Sequence, residues 1–190
     1  MIEQERLEAL LRSIVELLER EGFEYAAIGA LARNAWGRPR TTTDVDFALA
    51  LAPSDLPRLL AALAAGGLVV RKTRPSEPGD PVPELLLMCG KDDPSLRVDF
   101  LVAKTSFEEE VLRRRRVATV WGLPCRVATP EDLLVYKIVS NRPRDLDDVR
   151  NVAVARQAAG EPIDWAYVER WLKEFGCEDR LSTIRRQLDI

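Results

Sequence analysis

The chain has 190 residues, 46% of them apolar and 31% charged, the balance of one ordinary globular domain with a core of its own. It contains no histidine, which excludes Ser-His-Asp and Cys-His nucleophiles, an imidazole base and histidine metal ligands. With 28 basic and 31 acidic residues the formal charge is −3, so a globally basic nucleic-acid binder is not expected, although a local patch is compatible with it. Three scattered cysteines, Cys89, Cys125 and Cys177, form neither a disulfide framework nor a zinc cluster and read as small apolar residues in a reducing compartment. Catalysis by such a chain rests on carboxylates, lysine, arginine, hydroxyls or a bound metal.

Apolar residues from Ile2 to Leu18 recur at helical spacing and predict a helix ending at Glu21-Gly22. This amphipathic start lacks the continuous apolar segment of a signal peptide, and no stretch reaches the length of a membrane span. A cytoplasmic protein is expected. Tyr25 to Ile28 reads as a buried strand, Ala30 to Trp36 as a short helix, and Asp44 to Leu51 as a second strand. Pro53-Ser54-Asp55 opens a helix carrying Leu56, Leu59, Leu60 and Leu63, closed by Gly66-Gly67. Leu68 to Lys72 is a strand candidate, and Pro75 to Pro83 is rich in turn residues. Glu84 to Cys89 and Leu96 to Val102 flank a turn sequence and predict a hairpin. Ser106 to Arg115 reads as a helix, and two short strands surround Gly122. From Thr129-Pro130-Glu131 onward the pattern is helical, broken at Pro143 and at Gly160-Glu161-Pro162. The expected fold is α/β (α+β): a small mixed sheet flanked by helices in residues 1–128, and a helical segment, 129–190, that completes the site.

The chemistry concentrates around Asp44 and Asp46. Side chains alternate along a strand, so both carboxylates share one face while Val45, Phe47 and Leu49 take the other. Two carboxylates ~7 Å apart along a strand repel each other, and a divalent cation with a preference for oxygen removes that repulsion. A D-x-D pair alone is most often a solvated strand end. Two features raise its weight. A glycine-started turn and helix precede it, a geometry that offers backbone N–H groups to phosphate. A third acid, Asp99, lies on another predicted strand, where an unpaired carboxylate among apolar neighbours needs a partner and Arg97 is only a weak one. Three converging carboxylates form a cage for two Mg²⁺ ions that activate a hydroxyl and stabilise leaving pyrophosphate, with no need of histidine.

Gly29-Ala-Leu-Ala-Arg-Asn-Ala-Trp-Gly-Arg-Pro-Arg-Thr-Thr-Thr-Asp-Val-Asp-Phe, with Asp99 downstream, resembles the DNA polymerase beta-type nucleotidyltransferase superfamily. In detail it is similar to the bacterial AbiEii-type toxin nucleotidyltransferases of type IV toxin–antitoxin systems, whose R-x-T-x-D-x-D pattern Arg40, Thr42, Asp44 and Asp46 fit. The chain reads as a minimal relative of these. A second segment, Leu133-Leu-Val-Tyr-Lys-Ile-Val-Ser-Asn-Arg-Pro-Arg-Asp-Leu-Asp-Asp-Val, is similar to the family's later motifs.

The resemblance implies transfer of a nucleoside monophosphate from an NTP to a hydroxyl, with Mg²⁺ or Mn²⁺ held by Asp44, Asp46 and Asp99. It implies nucleotide contacts from Gly29, Ala30, Arg40, Thr42, Lys137 and Asp145, with Asp148 orienting its neighbours. The acceptor is an RNA such as the 3′ end of a tRNA, a protein, or a small molecule such as an aminoglycoside; a toxin would have a cognate antitoxin as partner. Ala30 departs from the family, which has glycine or serine there and so a possible hydroxyl contact to phosphate. The alternative is a non-catalytic nucleotide- or partner-binding module on the same fold.

Lysine is scarce here, 5 against 23 arginines, so Lys137 in an apolar helix suits a phosphate as a point charge, or snorkels from a helix edge. Arg113 to Arg116 reads as a helix C-terminus complementing its dipole, or as an RNA-backbone contact. Trp171 and Phe175, spaced i,i+4, are expected in the core.

Overall fold

The computed structural model describes residues 3–75, 77, 80 and 82–188. Helix α1 (Glu3–Glu21) precedes strand β1 (Tyr25–Ala27), helix α2 (Gly29–Trp36) and strand β2 (Asp44–Leu49). A short 3-10 turn at Pro53–Asp55 leads into α3 (Leu56–Ala65), and then β3 (Leu68–Arg74), β4 (Leu85–Gly90) and β5 (Arg97–Val102) follow. After α4 (Ser106–Arg114) come β6 (Arg116–Val120) and β7 (Leu123–Val127). Four helices close the chain: α5 (Pro130–Ser140), α6 (Asp145–Ala158), α7 (Trp165–Glu174) and α8 (Glu178–Leu188). The expected breaks at Pro143 and Gly160 are present. A third, between α7 and α8, falls at Gly176, whose φ of 60° ends a helix as glycine commonly does. Part of the proline-rich loop before β4, and the expected start of α1 at Ile2, lie outside the described residues.

The strands form one seven-stranded mixed sheet in the order β3-β4-β5-β2-β1-β7-β6. β3, β4 and β5 make an antiparallel meander, while β5 lies parallel to β2 and β7 parallel to β1. One face is closed by aromatic packing: Tyr25 meets Phe47 edge-on at 5.7 Å, and Phe47 stacks on Phe100 at 5.8 Å. Tyr25 Oη donates to Glu19 Oε1 of α1 at 2.9 Å, which places α1 on that face. Leu11, Ile14, Val15 and Leu18 of α1 are buried, each full burial contributing about 1.5–3 kcal/mol. The opposite face carries the acids.

The helical end is anchored by a capping box: Thr129 accepts from the Asp132 amide, and Asp132 reaches back to the Thr129 amide. Pro130 starts α5, where its missing N–H costs nothing. Burial raises the Asp132 carboxyl; it also accepts from the Tyr167 hydroxyl and faces Arg114, tying α4 and α7 to α5. Three of the four arginines in the run are held in such contacts: Arg113 pairs with Glu110, Arg114 with Glu131, and Arg115 with Glu24. All three cysteines are buried and free, and burial pushes the Cys125 thiol up to about 11. No described helix is long and apolar enough to cross a membrane.

Candidate active site

β2 and β5 are parallel and in register, Asp44 opposite Arg97 and Asp46 opposite Asp99. Neighbouring strands lie ~4.8 Å apart and side chains at paired positions share a face, so the sheet itself juxtaposes the acids. Asp44, Asp46 and Asp99 each offer an oxygen within 4.8 Å of the others. Thr42 Oγ1 donates to Asp44 Oδ1 at 2.8 Å, so this hydroxyl orients a carboxylate. Burial, followed by the charges of Asp44 and Asp99, pushes the Asp46 carboxyl up to about 7. Burial and Asp44 also raise Asp99, against the pull of Arg71 and Arg97. Asp99 Oδ1 is buried without a hydrogen-bond partner among the described residues. Mutual proximity, raised carboxyls and an orphaned oxygen fit a divalent-cation cage.

The first turn of α2 lies beside this cluster. Gly29 has φ 57°, and a Cβ there would fall 2.3 Å from Asp46 Oδ2. Ile28 supplies no side-chain cap, so the first amides of α2 lack one, and Gly29 and Ala30 line the cleft. An uncapped helix start of this kind accepts an anion. Gly29→Ala is expected to displace Asp46 and strain the backbone, lowering stability by about 1–3 kcal/mol, read as a fall in melting temperature.

The cleft measures about 670 Å³, with the acids and the start of α2 on one side and α5 with the α5–α6 turn on the other. Arg40, Thr42, Lys137 and Asp145 line it. Lys137 Nζ meets Asp145 Oδ1 at 2.9 Å and Asp148 Oδ2 at 2.7 Å. Asp148 also accepts from Arg40, Nε to Oδ1 at 3.2 Å and Nη2 to Oδ2 at 3.1 Å. Arg33 Nε lies 2.9 Å from Asp148 Oδ1. Burial alone would raise the Asp148 carboxyl, but its bonds to Arg40 and Lys137 outweigh that and hold it below the usual carboxylate range.

The segment between α2 and β2 is tied down at several points. Asn34 Nδ2 donates to the Arg40 carbonyl and its Oδ1 accepts from the Arg40 amide, both at 2.9 Å. The Arg38 amide donates to Asn151 Oδ1 at 2.7 Å, and Trp36 Nε1 donates to the Ala128 carbonyl at 2.7 Å.

Arg33, Asn34 and Asn151 were not singled out in the sequence. The available signal was two buried polar residues inside an otherwise apolar short helix. Phe175 corrects the core assignment: it is 38% exposed and lines the cleft, because it lies at the end of α7, where its ring meets Phe107 edge-on at 5.5 Å and Trp171 at a tilt at 6.5 Å but is left partly open. Trp171 packs on Phe107 at 5.1 Å as a partly buried residue.

No protein-family model matches the sequence, and comparison with curated proteins finds no match. Solved structures do match. The antibiotic-resistance factor ANT(2'')-Ia in solution superposes with a TM-score of 0.60 at 13% identity, over 98% of this chain and 98% of that one. The lincomycin-bound lincosamide adenylyltransferase LnuA gives 0.56 at 11% identity over 75% and 93%. An antigenic nucleotidyltransferase-like protein from Paracoccidioides brasiliensis gives 0.51 at 16% identity over 95% and 92%. The chain therefore has the nucleotidyltransferase fold, and its acidic triad fits a catalytic site on that fold.

Proposed function

We propose that the protein is a nucleotidyltransferase that moves a nucleoside monophosphate from an NTP to an acceptor hydroxyl. The observation that carries this reading is the triad, three carboxylate oxygens within 4.8 Å of one another beside an uncapped helix start. Asp44, Asp46 and Asp99 would hold Mg²⁺ or Mn²⁺, which when bound supplies charge to the α-phosphate and lowers the pKa of the attacking hydroxyl. The amides of Gly29 and Ala30 receive the triphosphate, and Lys137 and Arg40 oppose its charge from the other wall. Ala30 offers no hydroxyl, so this cradle is backbone alone. The acceptor oxygen bonds to the α-phosphorus as the bond to the β-phosphate bridging oxygen breaks. Pyrophosphate leaves, and the hydroxyl proton passes to Asp99, whose Oδ1 has no other partner among the described residues. Asp145 acts through Lys137, holding its ammonium at the cleft.

A cytoplasmic setting suits an NTP substrate and three free thiols. A toxin role with a cognate antitoxin is the narrower form of this reading, carried by the AbiEii resemblance.

The test is label transfer from each α-phosphate-radiolabelled NTP with Mg²⁺, offered separately to total RNA, lysate protein and aminoglycosides. Label is expected with one acceptor class and absent from the Asp44→Ala/Asp46→Ala double variant. No transfer together with no Mg²⁺-dependent NTP binding would overturn the enzyme; NTP binding without transfer to any acceptor would favour a binding module.

A further inference from the structure

The sheet continues past the triad toward β3, its edge strand, and the residues there decide what kind of acceptor the acids can face. By register Asp99 pairs with Leu87, which pairs with Lys72; Leu101 pairs with Leu85, which pairs with Arg74. Paired residues share a face, so Lys72 and Arg74 stand on the acid-bearing face two strands from Asp99, ~10 Å away, and about 7 Å from each other along β3. Arg97, one pair further along β5, occupies the same face opposite Asp44. Arg71 sits where the β3–β4 register shifts, close enough to Asp99 to act on its carboxyl.

Three of these four cations are unpaired among the described residues and the fourth is only loosely paired. Arg71, Lys72 and Arg97 have no ion pair among the described residues, and Arg74 meets Glu84 only at 3.7 Å, beyond hydrogen-bond reach. Arg71, Lys72 and Arg74 are exposed. In a chain of net charge −3, four cations on one face beside the triad are a local feature and not a reflection of overall charge. Three lie along the edge strand and one on β5, spread over separate positions, which suits repeated phosphates better than a single one.

Where Arg74 enters the cleft, the lining also includes Leu85, Leu101, Phe107, Tyr136 and Phe175. Phe175 exposes ring surface and the Tyr136 hydroxyl is buried without a partner among the described residues. The exposed Phe175 ring is a surface on which a base can stack. A polycation such as the tobramycin whose adenylyl adduct is bound in a structure of ANT(2'')-Ia would meet like charge along this approach.

We propose that Arg71, Lys72, Arg74 and Arg97 form the path of a single-stranded nucleic-acid acceptor, its phosphates along β3 and β5, its terminal base against Phe175 and its 3′-hydroxyl at the triad. This rests on the nucleotidyltransferase reading for what happens at the hydroxyl, but the binding surface stands on its own geometry.

The experiment measures anisotropy of a fluorescent single-stranded RNA, with a DNA arm, against salt concentration. Each phosphate contact contributes about −0.7 to the slope of log K against log salt for a single strand. The Arg71→Ala/Lys72→Ala/Arg74→Ala variant is expected to flatten the slope by about 2 and weaken binding more than tenfold at low salt. Arg12→Ala, exposed on the far-side helix α1, is expected to change neither. The melting temperature of the triple variant checks that the edge strand remains folded. A 3′-deoxy end is expected to bind equally well and accept no label. Equal RNA binding by the triple variant, no RNA binding at all, or label passing to tobramycin or an acidic polypeptide in place of RNA would overturn the path. Row-dependent RNA binding without Mg²⁺-dependent NTP binding would uphold the surface and overturn the enzymatic reading.

Discussion

Asp46→Asn is expected to do two opposite things: lower nucleotidyl transfer by roughly 10²–10³-fold or more, and stabilise the metal-free protein at alkaline pH. The second effect follows from the Asp46 carboxyl, pushed from its ordinary 3.8 up to about 7 by burial and by Asp44 and Asp99. The folded protein therefore holds this proton more tightly than the unfolded chain does. Its contribution to stability is complete below pH ~4 and is lost as the pH rises through about 7, where the carboxylate must be charged beside two others. Melting temperature measured in chelator is expected to fall between pH 5 and pH 8 in the parent protein and to fall less in Asp46→Asn. Mg²⁺ reverses the order by neutralising the cluster: at pH 8 it raises the parent melting temperature and leaves the variant nearly unchanged. A parent protein whose melting temperature ignores both pH over that range and Mg²⁺ would contradict the cage.

The largest loss of stability is expected at Asp148, which lies outside the triad. Arg33, Arg40 and Lys137 converge on its carboxylate, which is 3% exposed. Removing the partner of buried charges costs about 3–5 kcal/mol, so Asp148→Ala should shift the urea midpoint strongly downward. Lys137→Ala provides the contrast. Asp148 then keeps both arginines, so the fold is retained with a smaller loss, while NTP affinity drops because the cation facing the phosphates is gone. Equal destabilisation by the two variants would mean that Lys137 serves the fold alone. A shared carboxylate holds the Arg40 guanidinium and the Lys137 ammonium in place, so on the proposed reading little side-chain entropy would be lost when they meet a triphosphate.

The acids were legible in the sequence because strand alternation is a local property: Val45 and Phe47 against Asp44 and Asp46 identify the two faces without a fold. Asp99 was legible as an acid among apolar neighbours. Its register opposite Asp46 was not, since that depends on β5 crossing over to lie beside β2 in parallel. The hairpin of β4 and β5, and the helix start at Thr129-Pro130-Glu131, act within a few residues and were readable for the same reason. Phe175 was misplaced because i,i+4 spacing reports a shared helix face and cannot say that α7 ends at an open cleft. The cations of β3 were overlooked because Lys72 and Arg74 acquire meaning only once β3 is known to be an edge on the acid-bearing face. The hub at Asp148 joins α2, the segment before β2 and α5 to α6, and no pattern within a single segment reports such convergence.

The in-register pairing of β2 with β5 also limits how this chain can change. One inserted or deleted residue in either strand would bring Val98 or Phe100 opposite Asp46 and, in the same step, turn an acid into the aromatic layer against α1. Loss of the cage and loss of the core are thus a single event, so length variation in related chains should be excluded from these strands and concentrated in the connections around them. Substitution can retire the chemistry while leaving the fold; a frame slip in these strands cannot.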